Sequence, residues 1–392
     1  MLLVAIGVLV VAALFLARGD GGAQVPVGDG WTEVPGWTRV PPPDGGFVQT
    51  LHSVTAYQDG LVAAGYGLWS SGDGQAWGLV ADGCTLDEFD DRSYFCSAEL
   101  YQVLSTSAGG FVAVGTVELE DITLPGTEQR SSAVWTSIDG TEWRQSEHSL
   151  QARDGGSMTG VAELGDRLVA VGEVEGGPAA WWSDDDGLTW SSVPNDPAAF
   201  GHVGGQINVV IATEAGFVAG GTVCPEPNAF KDCDAAVWIS GDGETWRWLR
   251  IGAFWGGVEP NQPWGGGAVN DMLRLSSGRL LAVGQDGWHA AVWFSEEGET
   301  WLQHELPDAI TNGTEIQAIA SAADGTLVGV GRNRNLSSAF GFDDGYVWTS
   351  PDGETWSREH FGEYHTLDDV AIHGDTIIVK SGSTMWTRQH ES

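Results

Sequence analysis

Three carboxylates, Asp271, Asp368 and Asp369, carry the residue type that hydrolysis of a sugar polymer would need. A glycoside hydrolase uses two carboxyl groups facing across a cleft, one giving a proton and the other attacking or activating water. These three are the candidate catalytic set, and their separation is not written in the sequence. Two further segments carry binding chemistry. Residues 247–267 (RWLRIGAFWGGVEPNQPWGGG) combine Phe254, Trp255 and Trp264 with Glu259, Asn261 and Gln262. Flat apolar faces among hydrogen-bonding groups suit stacking on sugar rings or gripping a peptide. Residues 332–346 add Arg332, Arg334, Asn335, Phe340, Phe342, Asp343 and Asp344. The structural alternative is that these aromatics only pack their own loops.

Other chemistries find no support. The nine histidines form no H-E-x-x-H pattern, and there is no G-x-S-x-G elbow or phosphate-binding glycine loop, so no metal or cofactor is expected. Lys+Arg number 17 against 54 Asp+Glu, a formal net charge of -37. Such a chain cannot assemble the basic face that neutralises phosphates, which excludes nucleic acid as a partner. The same charge suits high salt, divalent ions or cationic partners.

The elements that must position these residues follow from internal repetition. Seven apolar runs recur: LVAAG (61–65), FVAVG (111–115), LVAVG (168–172), FVAGG (217–221), LLAVG (280–284), LVGVG (327–331) and TIIVK (376–380). Each follows a weaker strand-like run and precedes a tryptophan on a third one: Trp69, Trp135, Trp181, Trp238, Trp293, Trp348 and Trp386. Six of these continue through a polar turn to a second tryptophan, at Trp77, Trp143, Trp190, Trp246, Trp301 and Trp356. Four strands per unit, a to d, at a period of about 50 residues predict a seven-bladed all-β propeller. Only six c–d pairs are present, and GWTEVPGWTRV (30–40) is a d-like run with no c strand before it. It is expected to complete the last blade and close the ring, removing two exposed sheet edges. The a–b and c–d turns are then short on one rim. The b–c and d–a connections are expected to be long on the other, where binding belongs. Within them, Glu118, Glu120 and Asp121 read as a solvated acidic loop.

The c–d turns read SGDGQAW (71–77), SIDGTEW (137–143), SDDDGLTW (183–190), SGDGETW (240–246), SEEGETW (295–301) and SPDGETW (350–356). They resemble the Asp-box, or BNR repeat, of sialidases, sortilin-type receptors, seven-bladed glycoside hydrolases and the photosystem II assembly-factor propeller. Only residues 183–190 keep that family's S-x-D-x-G-x-T-W spacing. The sialidase arginine motif is absent, so no catalytic residue is carried over. Ser71, Asp73, Ser137, Asp139, Ser183, Asp185, Gly187, Ser240, Asp242, Ser295, Ser350 and Asp352, with the six turn tryptophans, have a structural role: carboxylate and hydroxyl accept backbone N–H bonds, and glycine supplies positive φ. Calcium at Asp184, Asp185 and Asp186 is the rival reading, without the D-x-D-x-D-G register.

Residues 1–17 (MLLVAIGVLVVAALFLA) are uncharged and apolar, and small Gly21 and Ala23 fit a cleavage site before Gln24. Residues 1–23 are therefore an export signal or a membrane anchor, and residues 24–392 a single propeller domain. Cys84 with Cys96 and Cys224 with Cys233 are close pairs around polar loops, expected to form two disulfides in an oxidising compartment. The leading function is a secreted or anchored, monomeric module that binds a protein or glycan, without catalytic residues. The alternative is a polysaccharide-active glycoside hydrolase.

Overall fold

The computed structural model describes residues 36–390 apart from 41–50, 58–59, 75, 82–93, 122–128, 147–154, 202–203, 225–232, 252–265, 308–312, 334–342, 363–364 and 383. Strand β1 (Thr38–Arg39) stands first. Blade 1 is β2 (Leu51–Tyr57), β3 (Gly60–Gly65), β4 (Gly67–Ser71) and β5 (Gly78–Ala81). Blade 2 is β6 (Tyr94–Ser105), β7 (Phe111–Asp121), β8 (Gln129–Ser137) and β9 (Trp143–Gln145). Blade 3 is β10 (Gly156–Leu164), β11 (Arg167–Val174), β12 (Gly177–Ser183) and β13 (Ser191–Ser192). A short helix, α1 (Pro197–Phe200), capped by the Asp196 side chain, is the only helix among the described residues. Blade 4 is β14 (Gly204–Thr213), β15 (Gly216–Cys224), β16 (Asp234–Ser240) and β17 (Arg247–Arg250). Blade 5 is β18 (Ala268–Arg274), β19 (Leu280–Asp286), β20 (His289–Ser295) and β21 (Leu302–His304). Blade 6 is β22 (Thr314–Ser321), β23 (Leu327–Asn333), β24 (Asp344–Ser350) and β25 (Ser357–Gly362). Blade 7 is β26 (Leu367–His373), β27 (Thr376–Ser381) and β28 (Thr384–Gln389), with β1 as its fourth strand.

All seven sheets are antiparallel; six follow sequence order from the first strand outward, and in blade 7 β1 takes the outermost place. The first strand of each blade touches that of the next, from β2 round to β26 and back to β2, so these strands surround the axis. Second strands are buried along almost their whole length, because a neighbouring blade covers each face. The third-strand tryptophans fill the widening space between blades. In six blades alanine or glycine lies opposite, as in Ala63 opposite Trp69, Ala170 opposite Trp181 and Gly329 opposite Trp348, and in blade 7 Val379 lies opposite Trp386.

The six c–d turns share one hydrogen-bond pattern. The serine Oγ accepts from the turn glycine N–H at 2.8–3.1 Å, and the tryptophan Nε1–H donates to that glycine's carbonyl. Where an aspartate is present it accepts backbone N–H bonds across the turn, as Asp242 does from Glu244 and Thr245. Those donors hold Asp139 down to about 2 and keep Asp242 and Asp352 below the ordinary carboxylate value. Each turn therefore has a complete structural account. Its glycine also packs on the preceding blade, Gly140 against Val62 and Gly187 against Val112, and Gly74 of blade 1 against Ile378 of blade 7.

That last contact belongs to the closure. Thr38 pairs with Thr387 and Arg39 with Trp386, and the Val40 N–H donates to the Met385 carbonyl at 2.9 Å. Trp37 is buried, edge-on to Phe361 of blade 6 at 5.3 Å, with the Arg388 guanidinium 4.4 Å over its ring.

Three expectations are corrected. The seventh apolar run is not 376–380: Leu367 pairs with Ser381 and Val379 with Trp386, as Ile316 pairs with Gly331 and Gly329 with Trp348. The true repeat unit is Ile377–Ser381, which places Lys380 where the other blades have Ala64, Val114, Val171, Gly220, Val283 and Val330. The b–c connections are not uniformly long, since Tyr66 alone joins β3 to β4, and Glu175 and Gly176 alone join β11 to β12. Finally, Glu118, Glu120 and Asp121 lie on β7, and Glu118 faces Arg130 at 3.8 Å.

Candidate functional site

Every first strand carries a β-bulge at the same place. The register slips once around His52, Tyr101, Thr159, Asn208, Asn270, Gln317 and Asp368. A bulge sets two residues against one, bending the strand and re-aiming its side chains. The residue before the bulge pairs with the last glycine of the second-strand repeat in six blades. At five of these glycines a Cβ would meet backbone, 2.1 Å from the Glu99 carbonyl oxygen at Gly115 and 2.0 Å from that of Glu315 at Gly331. The repeated glycine thus permits the bulge, and the bulge presents one half-buried polar residue per blade on the strands around the axis.

These seven positions divide into two contiguous groups. In blades 3, 4 and 5 they stitch the ring: Thr159 donates to the Ile207 carbonyl, Asn208 to Val269 and Asn270 to Ile316, each on the next blade. In blades 6, 7, 1 and 2 they join charged side chains instead. Gln317 donates to Glu315, and Arg332 pairs with both Glu315 and, at 3.5 Å, Asp343. The Asp368 carboxylate lies 3.1 Å from Lys380 and accepts the Gly382 N–H at 3.2 Å. His52 Nε2 is 2.8 Å from Glu99, whose other oxygen accepts from the Tyr101 hydroxyl at 2.9 Å. The His52 contact is the main cause holding the Glu99 carboxyl below its ordinary value, against the opposing effect of burial. Burial pushes the Tyr101 phenol up.

Blade 7 departs furthest from the repeat. Across its bulge Asp368 and Asp369 together oppose Lys380, a lysine 5% exposed where six blades carry a small apolar residue. A buried ammonium needs a paired charge, and Asp368 supplies it at 3.1 Å. Asp271 and Asp369 are half-buried, each on a first strand of the ring around the axis. Burial pushes Asp271 up to about 6; it pushes Asp369 up to about 7, opposed by Lys380 and helped by the charge of Asp271. Both Asp271 oxygens accept backbone N–H bonds, from Met272 at 2.7 Å and from Ile319 of the next blade at 2.8 Å. Asp271 is therefore committed to holding blades 5 and 6 together.

A pH dependence follows for Asp369. Its folded value lies above its unfolded value, so the folded state holds the extra proton; that stability is full below about 4 and is lost as pH rises to about 7. Asp369→Asn is expected to flatten the fall in thermal midpoint across this window, as read by calorimetry at intervals of pH. Parallel curves for variant and parent would contradict the assignment.

Of the candidates drawn from sequence, Asp271, Asp368, Asp369 and Arg332 come to this region through their strands. Phe254, Trp255, Glu259, Asn261, Gln262, Trp264, Arg334, Asn335, Phe340 and Phe342 lie outside the described residues, as do residues 1–17 and Cys84. Cys224 and Cys233 form a disulfide, and Cys96 is disulfide-bonded as well. No helix among the described residues is long and apolar enough to cross a membrane, and no group of His, Cys, Asp or Glu there could hold a metal ion. Sequence reasoning missed His52, Glu99, Tyr101, Glu315, Gln317 and Lys380; the lysine inside an apolar run was the available signal.

No family model and no curated protein matches the sequence. Among solved structures the chain is similar to virginiamycin B lyase from Staphylococcus aureus, with TM-score 0.57, 9% identity, 90% of this chain and 98% of that one covered. It is similar to the extracellular domain of a putative one-component system from B. thetaiotaomicron, with TM-score 0.55 and 11% identity over 92% of this chain. A xyloglucanase of glycoside hydrolase family 74 from Xanthomonas campestris matches with TM-score 0.54 and 16% identity over 90% of this chain. The chain spans 40% and 53% of the lengths of the last two. At these identities the likeness is one of fold.

Proposed function

We propose that this propeller is an exported binding or assembly module, taking a protein segment or a glycan at the axis of blades 6, 7, 1 and 2 with help from the neighbouring long connections. One observation carries the reading: the scaffold repeats in register through all seven blades, while the bulge position changes residue type. Its charged networks fall in four contiguous blades. A ring that needed only stability could repeat the Asn208 and Asn270 bonds throughout. The Cys224–Cys233 disulfide supports an oxidising compartment. The c–d turns resemble the Asp-box of propellers that bind as well as of those that cleave.

A glycan array and a peptide library, each screened with the parent and with Glu99→Gln, test the proposal. Saturable binding weakened at least about tenfold by the variant, at unchanged thermal midpoint, is the expected result; a loss of about 1.4 kcal/mol corresponds to that factor. Binding indifferent to Glu99→Gln and to Glu315→Gln would remove the site from this sector. The second reading, hydrolysis of a polysaccharide, is favoured by Asp369, which keeps its proton towards neutral pH as a general acid does. Turnover of a chromogenic glycoside, abolished by Asp369→Asn, would establish it over simple binding.

A further inference from the structure

Blade 7 brings an amine and two carboxyl groups together at one bulge and closes them off from the other six blades' pattern. Lys380 Nζ lies 3.1 Å from Asp368 Oδ2, and its side chain is buried. Asp369 is the direct cross-strand partner of Lys380, which sets their side chains on one face. The Gly382 N–H points at the same Asp368 oxygen, at 3.2 Å. Lysine occurs at only two positions in the chain, and no other blade has a charged residue opposite its bulge. Asp-Asp occupies a bulge only where lysine faces it.

We propose that Lys380 and Asp368 condense to an intramolecular isopeptide bond, with Asp369 as the proton carrier. Once Asp369 has given up its own proton to solvent, the ammonium passes one to the Asp369 carboxylate, and the free amine attacks Asp368 Cγ, forming the C–N bond. Oδ2 takes the negative charge and is held by the Gly382 N–H, as an oxyanion is held by a fixed donor. Oδ1 receives the proton from Asp369 and a second from the nitrogen, and leaves as water. One ammonium and one carboxylate become one amide and one water, and Asp369 is returned unchanged. Burial of the Lys380 ammonium disfavours its charged form, and the exposed side of Asp368 lets the released water escape to solvent. The bond would staple β26 to β27 in the blade that the two ends of the chain must close, independently of any ligand.

Trypsin reads the result directly on the reduced, denatured full-length protein. Cleavage is possible after Arg358, Lys380 and Arg388, with no Lys or Arg between the first two. An amide on Lys380 blocks the middle cut, so the expected product is a single peptide spanning 359–388, lighter than its sequence mass by one water. Two separate peptides at full mass, 359–380 and 381–388, would overturn the proposal and leave an ion pair. Asp369→Asn, which keeps volume and removes the proton carrier, is expected to return the two full-mass peptides. A joined peptide in that variant would overturn the role given to Asp369.

Discussion

Deleting residues 1–40 is expected to lower the thermal midpoint by about 7–9 °C, and to disrupt the site along with the closure. The deletion removes β1 and with it buried Trp37 and Val40. Losing a buried tryptophan costs about 3–5 kcal/mol and a buried valine about 2, while each kcal/mol shifts the midpoint of a domain this large by about 1.3 °C. It also bares the Trp386–Thr387 edge of β28, an unpaired strand that invites association. The functional consequence comes from the order of blades. The charged sector spans blades 6, 7, 1 and 2, so its two halves come from opposite ends of the chain and meet only when the ring is sealed. A truncated protein melting with the parent would contradict this account of closure.

The second large effect is expected at the bulge-facing glycines. At Gly172 a Cβ would stand 1.9 Å from the Ser157 carbonyl oxygen, an atom of the backbone ladder that cannot swing aside. Gly172→Ala should therefore cost about 4 kcal/mol or more, in the range reserved for backbone collision, and yield little soluble protein. Gly72→Ala is the matched control, because nothing lies within 4 Å of its Cβ and its φ is not left-handed. That variant should stay within about 0.5 kcal/mol of the parent. Denaturant melts of the pair decide the matter: equal midpoints would mean that the glycine is not what the bulge requires.

These glycines also explain what could and could not be read in the sequence. Blade number, strand order and closure were legible because small-apolar runs and tryptophans recur at a fixed spacing, and each has one geometrical cause. The seventh run was misplaced by a residue because Ser381 replaces the marking glycine and Thr376 resembles the start of a repeat. The site was far less legible. A bulge breaks the alternation by which strand faces are recognised, so His52, Tyr101 and Gln317 look like ordinary polar positions on a half-exposed strand. Only their pairing shows that they occupy one level of the ring. Asp271 illustrates the converse, a carboxylate suited to catalysis by type but used up by two backbone N–H donors.

The joining of the chain's two ends is the claim on which both fold and site depend, and a cysteine pair at Thr38 and Thr387 tests it. These residues are Cα partners across β1 and β28. Free-thiol titration of the unfolded double variant after air oxidation should find none, and reduction should lower its thermal midpoint by more than it lowers the parent's, whose native disulfides it also breaks. Two titratable thiols, with melting no more sensitive to reductant than the parent's, would contradict the sealed ring.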